Sequence, residues 1–267
     1  MQDAHQLSQI CTQARSIIGQ VAQFLWTERL RVTSGDIEEK SRNSLVSYVD
    51  KQAEIQLVER LGGLVPGSTF LTEEETVAQE EGEWRWIIDP LDGTTNFLHG
   101  LPCFSISVAL QYRGDTLIGV VHEVAQGEQF YAWKGSGAFC NGTSIRVNQT
   151  ADLADCLIAT GFPYYDYSRT DAYLSALKEL MAGTRGIRRF GSAAVDLAYV
   201  AAGRFDAFFE HSLHPWDVAA GAFLVQEAGG RLADFKGGDN YLHGREMIAA
   251  STTVWEAFFP LVNRHLG

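Results

Sequence analysis

Residues 84–97 read WRWIIDPLDGTTNF. Trp86-Ile87-Ile88 is a short apolar run of the kind that forms a buried strand. Asp89-Pro90 is expected to end it, because proline donates no ladder hydrogen bond and restricts its neighbour. Leu91-Asp92-Gly93-Thr94-Thr95 follows, with Asp92 or Thr94 able to cap a helix. Two carboxylates, Asp89 and Asp92, therefore stand at a strand end and on the turn after it. In α/β sheets that is where ligands bind.

Two like charges three residues apart repel when bare, and one stays protonated. A hard divalent cation removes the conflict, and oxygen-only donors suit Mg²⁺ or Ca²⁺. The Leu91 carbonyl is a further oxygen between them. Gly93 lets backbone approach a ligand closely. The N–H groups of Gly93, Thr94 and Thr95, at a helix start, suit an anion such as phosphate. The competing reading is an N-cap followed by a surface turn.

The 267 residues are enough for a large core, and 46% apolar with 20% charged residues is ordinary globular composition. A net charge of −12 disfavours non-specific nucleic-acid binding and anionic membrane surfaces. Cys11, Cys103, Cys140 and Cys156 form no CxxC pair, so reduced thiols in a cytoplasmic protein are expected. The polar start does not read as a signal peptide, and no stretch approaches the ~20 apolar residues of a membrane span.

Apolar residues from Leu7 to Leu25 recur at helical spacing and predict one amphipathic helix over about 4–30. Residues 31–44 turn polar and are expected to form a mobile loop, either a solvated connection or a lid over a site. Leu45 to Leu61 reads as a strand end and then a helix, with Asp50 either its cap or an acid at the edge of a site. Phe70-Leu71 suggests a strand leading to Glu73, which stands apart from the solvated Glu run after it. Residues 105–112, 116–121 and 129–133 read as antiparallel strands, and 134–143, KGSGAFCNGT, as a hairpin turn without a phosphate-loop ending. From about 155 strand and helix alternate, arguing an α/β layer. A composition shift near 145–153 divides the chain into an N-terminal half, 1–148, and a C-terminal half, 149–267, within a single compact unit. His214-Pro215-Trp216-Asp217-Val218-Ala219-Ala220-Gly221 puts Asp217 at a helix start, an N-cap unless it lands beside Asp89 and Asp92.

Together these stretches resemble the inositol monophosphatase family, of the Mg²⁺-dependent, Li⁺-sensitive phosphatase superfamily. DPLDGTTNF is similar to its first signature and WDVAAGAFLVQEAGG to its second. The resemblance implies alternating α/β/α/β/α layers, usually as a homodimer. It implies one Mg²⁺ site from Glu73, Asp89 and the Leu91 carbonyl, and a second from Asp89, Asp92 and Asp217. Asp50 and Glu73 are similar to residues near a third ion. Thr94 resembles the hydroxyl that, with Glu73, orients the attacking water. Gly93 and Thr94 would face phosphate; Gly191, Ser192, Ala193 and Glu210, with Asp92 and Asp217, would meet the substrate. Thr72 departs from the glycine common before the Glu pair.

The activity implied is Mg²⁺-dependent hydrolysis, by water, of a small phosphate monoester, most simply myo-inositol monophosphate. Superfamily relatives cleave histidinol phosphate, 3′-phosphoadenosine 5′-phosphate or fructose bisphosphate. Others act as protein-binding regulators, a second class of function for this chain. Arg185, Arg188 and Arg189 form the compact basic cluster, suited to an anionic substrate, a subunit contact or a solvated turn.

Overall fold

The computed structural model describes residues 3–41, 44–162 and 166–267. Helix α1 (Ala4–Glu28) starts where the Asp3 side chain accepts from His5 N, and it buries the stripe from Leu7 to Leu25. Residues 37–41, expected to lie in a loop, instead form β1 (Ile37–Ser41), which runs antiparallel to β2 (Ser44–Ser47), the strand end expected from Leu45. Polar composition hid β1, because backbone pairing does not require an apolar face. Residues 42–43 lie outside the described chain.

Helix α2 (Tyr48–Gly62) is capped by Ser47, not Asp50. Asp50 sits at the third helical position and closes a capping box, accepting from Ser47 N at 2.9 Å and Ser47 Oγ at 2.8 Å. Strand β3 (Thr69–Thr72) then runs parallel to β4 (Trp84–Asp92).

Proline does not end β4. The strand passes through Pro90 to Asp92, with an irregularity against β5 (Ser105–Tyr112). Asp89 pairs with Ser107 and Asp92 with Ser105, so three steps on β4 match two on β5. That extra residue is a β-bulge, one of the few places a sheet accepts proline. The short α3 (Thr94–Leu98) begins after Gly93, which caps it in the left-handed region at φ 92° with no side-chain bond. Neither Asp92 nor Thr94 is its cap. A Cβ on Gly93 would meet the carbonyls of Cys103 at 3.0 Å and Gly191 at 3.2 Å.

Strands β6 (Asp115–Glu123), β7 (Glu128–Trp133), β8 (Ala138–Cys140) and β9 (Thr143–Ile145) extend the antiparallel run, giving a seven-stranded sheet in order β3 to β9. The Gly-rich turn between β7 and β8 is held by Glu227, which accepts from Gly135 N and Gly137 N. In the second half, β10 (Leu157–Thr160), α4 (Thr170–Gly183), β11 (Gly186–Arg188), α5 (Ala193–Ala201), β12 (Ala207–His211), α6 (Pro215–Glu227), β13 (Arg231–Ala233), β14 (Glu246–Ala250) and α7 (Trp255–Leu266) follow. They form a mixed five-stranded sheet, β11-β10-β12-β14-β13, parallel at β10 and antiparallel around β14.

Three apolar layers join the elements. Leu25 and Leu57 pack with Trp86 and Ile88 beneath the large sheet. Ile87, Ala109 and Val121 pack on Leu197, Ala220 and Leu224, so α5 and α6 lie between the sheets. Tyr173, Phe209 and Phe258 fill the space between the small sheet and α4 and α7. The order is helices, sheet, helices, sheet, helices, the α/β/α/β/α arrangement expected. The middle layer is tight: a Cβ on Gly119 would stand 2.9 Å from the Ala220 carbonyl. No described helix is long and apolar enough to cross a membrane, and all four cysteines are unpaired thiols.

Candidate active site

The bulge decides where the carboxylates point. Alternate residues of a regular strand face opposite sides, so positions i and i+3 would diverge. The inserted residue restores Asp92 to the side of Asp89, the side of Ser105 and Ser107, toward α5 and α6. The chain uses both serines there: Ser107 Oγ donates to the Trp216 carbonyl at 3.0 Å, and Ser105 Oγ lies 3.2 Å from Ser192 Oγ.

Asp92 is gripped by the start of α5. Ser192 Oγ donates to Asp92 Oδ2 at 2.6 Å and Ala194 N donates to the same oxygen at 2.8 Å. Burial raises its carboxyl to about 6, held down by these donors and by Arg189. Asp89 is buried outright. Its carboxyl is pushed well above the usual range, first by burial, then by the charges of Glu73, Asp92 and Asp217, and by a side-chain hydrogen bond with Glu73. Asp217, in the first turn of α6, accepts from His214 N at 2.6 Å. It is therefore not the N-cap, which is His214, but bonds back to it from the third helical position while standing among the acids; burial and the charge of Asp92 push its carboxyl well above the usual range.

A cavity of about 260 Å³ opens here. Glu73, Asp92, Gly191, Ser192, Ala193, Glu210 and Asp217 line it, as do Gly161, Arg189, Ser212, Leu213, His214 and Trp216, which the sequence reading did not place there. His214 stacks flat on Trp216 with centroids 4.6 Å apart. Glu210 is drawn up to about 8 by burial and the charge of Asp92, against Arg189. A Cβ on Gly161 would overlap its carboxylate, so a larger residue there would displace the Glu210 side chain. Of the basic cluster, Arg189 reaches the cavity, whereas Arg185 pairs with Asp155 and Arg188 is exposed.

Asp50, Asp89, Leu91, Gly93 and Thr94 are not among the lining residues. Thr94 Oγ1 lies 2.9 Å from the Leu91 carbonyl and 3.1 Å from Asp50 Oδ1. One hydroxyl proton serves either acceptor, leaving the oxygen's lone pairs available to a water.

Among the described residues no group of three or more His, Cys, Asp and Glu side chains stands ready to hold a metal ion. The donor chemistry nonetheless fits one. The donors are oxygens only; burial, and then the negative charges of Glu73, Asp92 and Asp217, push the Asp89 carboxyl well above the usual range, and a divalent cation would offset those charges.

The model of the inositol monophosphatase family matches residues 3–266, and the chain belongs to that family. It is 43% identical over 248 residues to the Nus factor SuhB of Pseudomonas aeruginosa, covering 91% of each chain. It is 41% identical to the inositol-1-monophosphatase of Mesorhizobium japonicum, covering 85% of this chain and 86% of that one. Among solved structures, the extragenic suppressor protein suhB of Bartonella henselae superposes with a TM-score of 0.89 at 38% identity, covering 97% of this chain and 99% of the other. An IMPase/NADP phosphatase complexed with Mg²⁺ and phosphate superposes with a TM-score of 0.84 at 26% identity, covering 98% and 97%.

Proposed function

We propose that the chain is a Mg²⁺-dependent phosphatase that hydrolyses a small phosphate monoester with water, myo-inositol monophosphate foremost. The observation that carries this is the bulged Asp89/Asp92 pair, set with Glu73 and Asp217 beside a cavity at the start of α5. Phosphate monoesters resist water strongly, and their hydrolysis needs charge neutralisation and in-line positioning more than a protein nucleophile. Glu73, Asp89, the Leu91 carbonyl, Asp92 and Asp217 would hold two ions, with Asp50 near a third. Bound there, Mg²⁺ supplies positive charge against the phosphate oxygens and makes water a stronger nucleophile.

The chain's own groups do the rest. Glu73 accepts a proton from the attacking water, and Thr94 Oγ1 orients that water. Gly93 and Thr94 offer backbone N–H groups to phosphate. Ser192 and Ala194 N hold Asp92 in place. Glu210, with Gly191 and Ala193, takes hydroxyls of the alcohol part, for which a neutral or charged carboxyl serves equally as a partner. A cytoplasmic homodimer suits the four thiols and the family.

Release of phosphate from myo-inositol monophosphate, histidinol phosphate, 3′-phosphoadenosine 5′-phosphate and fructose bisphosphate, with and without Mg²⁺, tests this. The highest kcat/KM is expected for the inositol ester. No Mg²⁺-dependent release from any of the four overturns the reading.

Relatives named Nus factor favour a second reading, a protein-binding regulatory role beside the phosphatase. The charge of −12 supports binding protein and not nucleic acid directly. Capture of one stoichiometric protein partner by an Asp89→Asn variant, surviving nuclease, supports it; retention that nuclease abolishes counts against it.

A further inference from the structure

One buried acid is not used by the chemistry above. Glu54 is fully buried on α2, one helical turn beyond Asp50, on the same face. A carboxylate out of water has to be satisfied by donors. Four donors to it come from one short segment, the one that carries Glu73. Oε1 accepts from Thr72 Oγ1 at 3.0 Å, Thr76 N at 2.7 Å and Thr76 Oγ1 at 2.7 Å. Oε2 accepts from Glu74 N at 2.7 Å. These bonds bracket Glu73 on both sides without touching it.

The segment needs such a clamp. Glu75 lies in the left-handed region at φ 52°, which an L side chain rarely adopts. Glu73 N reaches the Ile88 carbonyl at 3.3 Å, immediately before Asp89. Thus α2 holds two catalytic elements at once: Thr94 through Asp50, and the Glu73 segment through Glu54.

We infer that Glu54 is a positioning residue, which fixes the backbone on either side of Glu73 so that its carboxylate meets Asp89. The inference rests on the phosphatase reading and deepens it. Glu54→Gln keeps the shape but turns an NH₂ toward a donor N–H, so at least one bond is lost and two donors face each other. Thr76→Val removes one hydroxyl bond and leaves the backbone bond.

The test measures binding of Mn²⁺ alone, without substrate, by electron paramagnetic resonance, and kcat and KM against Mg²⁺ concentration. Glu54→Gln is expected to weaken Mn²⁺ binding by roughly tenfold or more, as loss of a supporting carboxylate does. Its kcat should fall at low Mg²⁺ and recover at high Mg²⁺, with KM for the ester unchanged. A purely structural part would lower thermal stability and leave Mn²⁺ affinity alone. A folded Glu54→Gln that binds Mn²⁺ as tightly as the parent overturns the inference. Should that variant not fold, undiminished Mn²⁺ binding by Thr76→Val overturns it. If the parent itself neither binds Mn²⁺ nor releases phosphate, the phosphatase reading falls and Glu54's part falls with it.

Discussion

Asp89 and Asp92 are separated by two residues yet share one side of their strand, because a bulge at Pro90 and Leu91 shifts the register by one. Without it Asp92 would face the α1 and α2 layer, where Ile88 and Leu91 pack. The bulge brings two carboxyl groups into a dry place, where burial raises both above the usual carboxylate range.

Asp89→Asn follows from that arrangement. Removing the carboxylate should lower kcat/KM at least about 100-fold, beyond the roughly 10–100-fold that losing an outer-shell partner of a metal costs. Metal-free protein should melt at the same or a higher temperature, because the amide relieves crowding among Glu73, Asp92 and Asp217. Calorimetry in EDTA beside a phosphate-release assay checks both. A drop in melting temperature together with retained activity would contradict the assignment.

Ser192 serves the cap of α5 and the grip on Asp92 with one hydroxyl. It accepts from Val195 N at 3.3 Å while donating to Asp92. Ser192→Ala should cost about 1 kcal/mol in urea melts, the usual loss for an N-cap. Half-saturation by Mg²⁺ should rise by roughly tenfold, since Asp92 loses a supporting donor. Titrating activity with Mg²⁺ reads the second effect.

His122 makes stability pH-dependent. Burial pushes its imidazole from 6.5 down to about 4, and its Nδ1 lies 3.1 Å from Gln129 Nε2, an amide donor. Between those values the unfolded chain binds the proton and the folded chain does not. Its contribution is therefore full above pH 6.5 and is lost as pH falls toward 4. That is worth about 2–3 kcal/mol between pH 7 and 4.5. His122→Asn should flatten the acid side of the stability profile by that amount, measured by denaturant melts at the two pH values.

Gly221 sets the distance between α5 and α6. A Cβ there would stand 2.6 Å from Leu197 Cβ and 2.8 Å from its Cδ1. Gly221→Val should destabilise by about 1–3 kcal/mol, as overpacking does. Adding Leu197→Ala should recover part of the loss by vacating the space. Additive losses in the double variant would show that the two positions do not meet.

Much of the proposed site was legible because its residues cluster in the chain. Asp89, Asp92, Gly93 and Thr94 fall within six residues, and the Trp216-Asp217 stretch announces a helix start. The long helices and the β5 to β7 run follow from periodicity, since one buried face imposes one spacing. Strand β1 and the bulge did not follow. Polar residues conceal backbone pairing, and proline reads as a terminator until a neighbouring strand shows that it sits in a bulge. Glu54 and Asp196 left a fainter trace, a charge inside an apolar helical stripe. Both are buried, and Asp196 is raised well above the usual carboxylate range by burial and Glu210.

What the amino-acid order determined alone is the supply of parts: an oxygen-rich acidic turn, a second acid at a helix start, a thiol-only cysteine set and the periodicities that build layers. What only the folded chain decided is their convergence. Asp92 meets Ser192 across 100 residues of sequence, and Glu54 reaches the Glu73 segment from another element. Local pattern encodes which face a residue takes within its own helix or strand. Which faces come together is set by register, a bulge and the packing of α5 and α6 between two sheets, and these exist only once distant segments bury their apolar surfaces against each other.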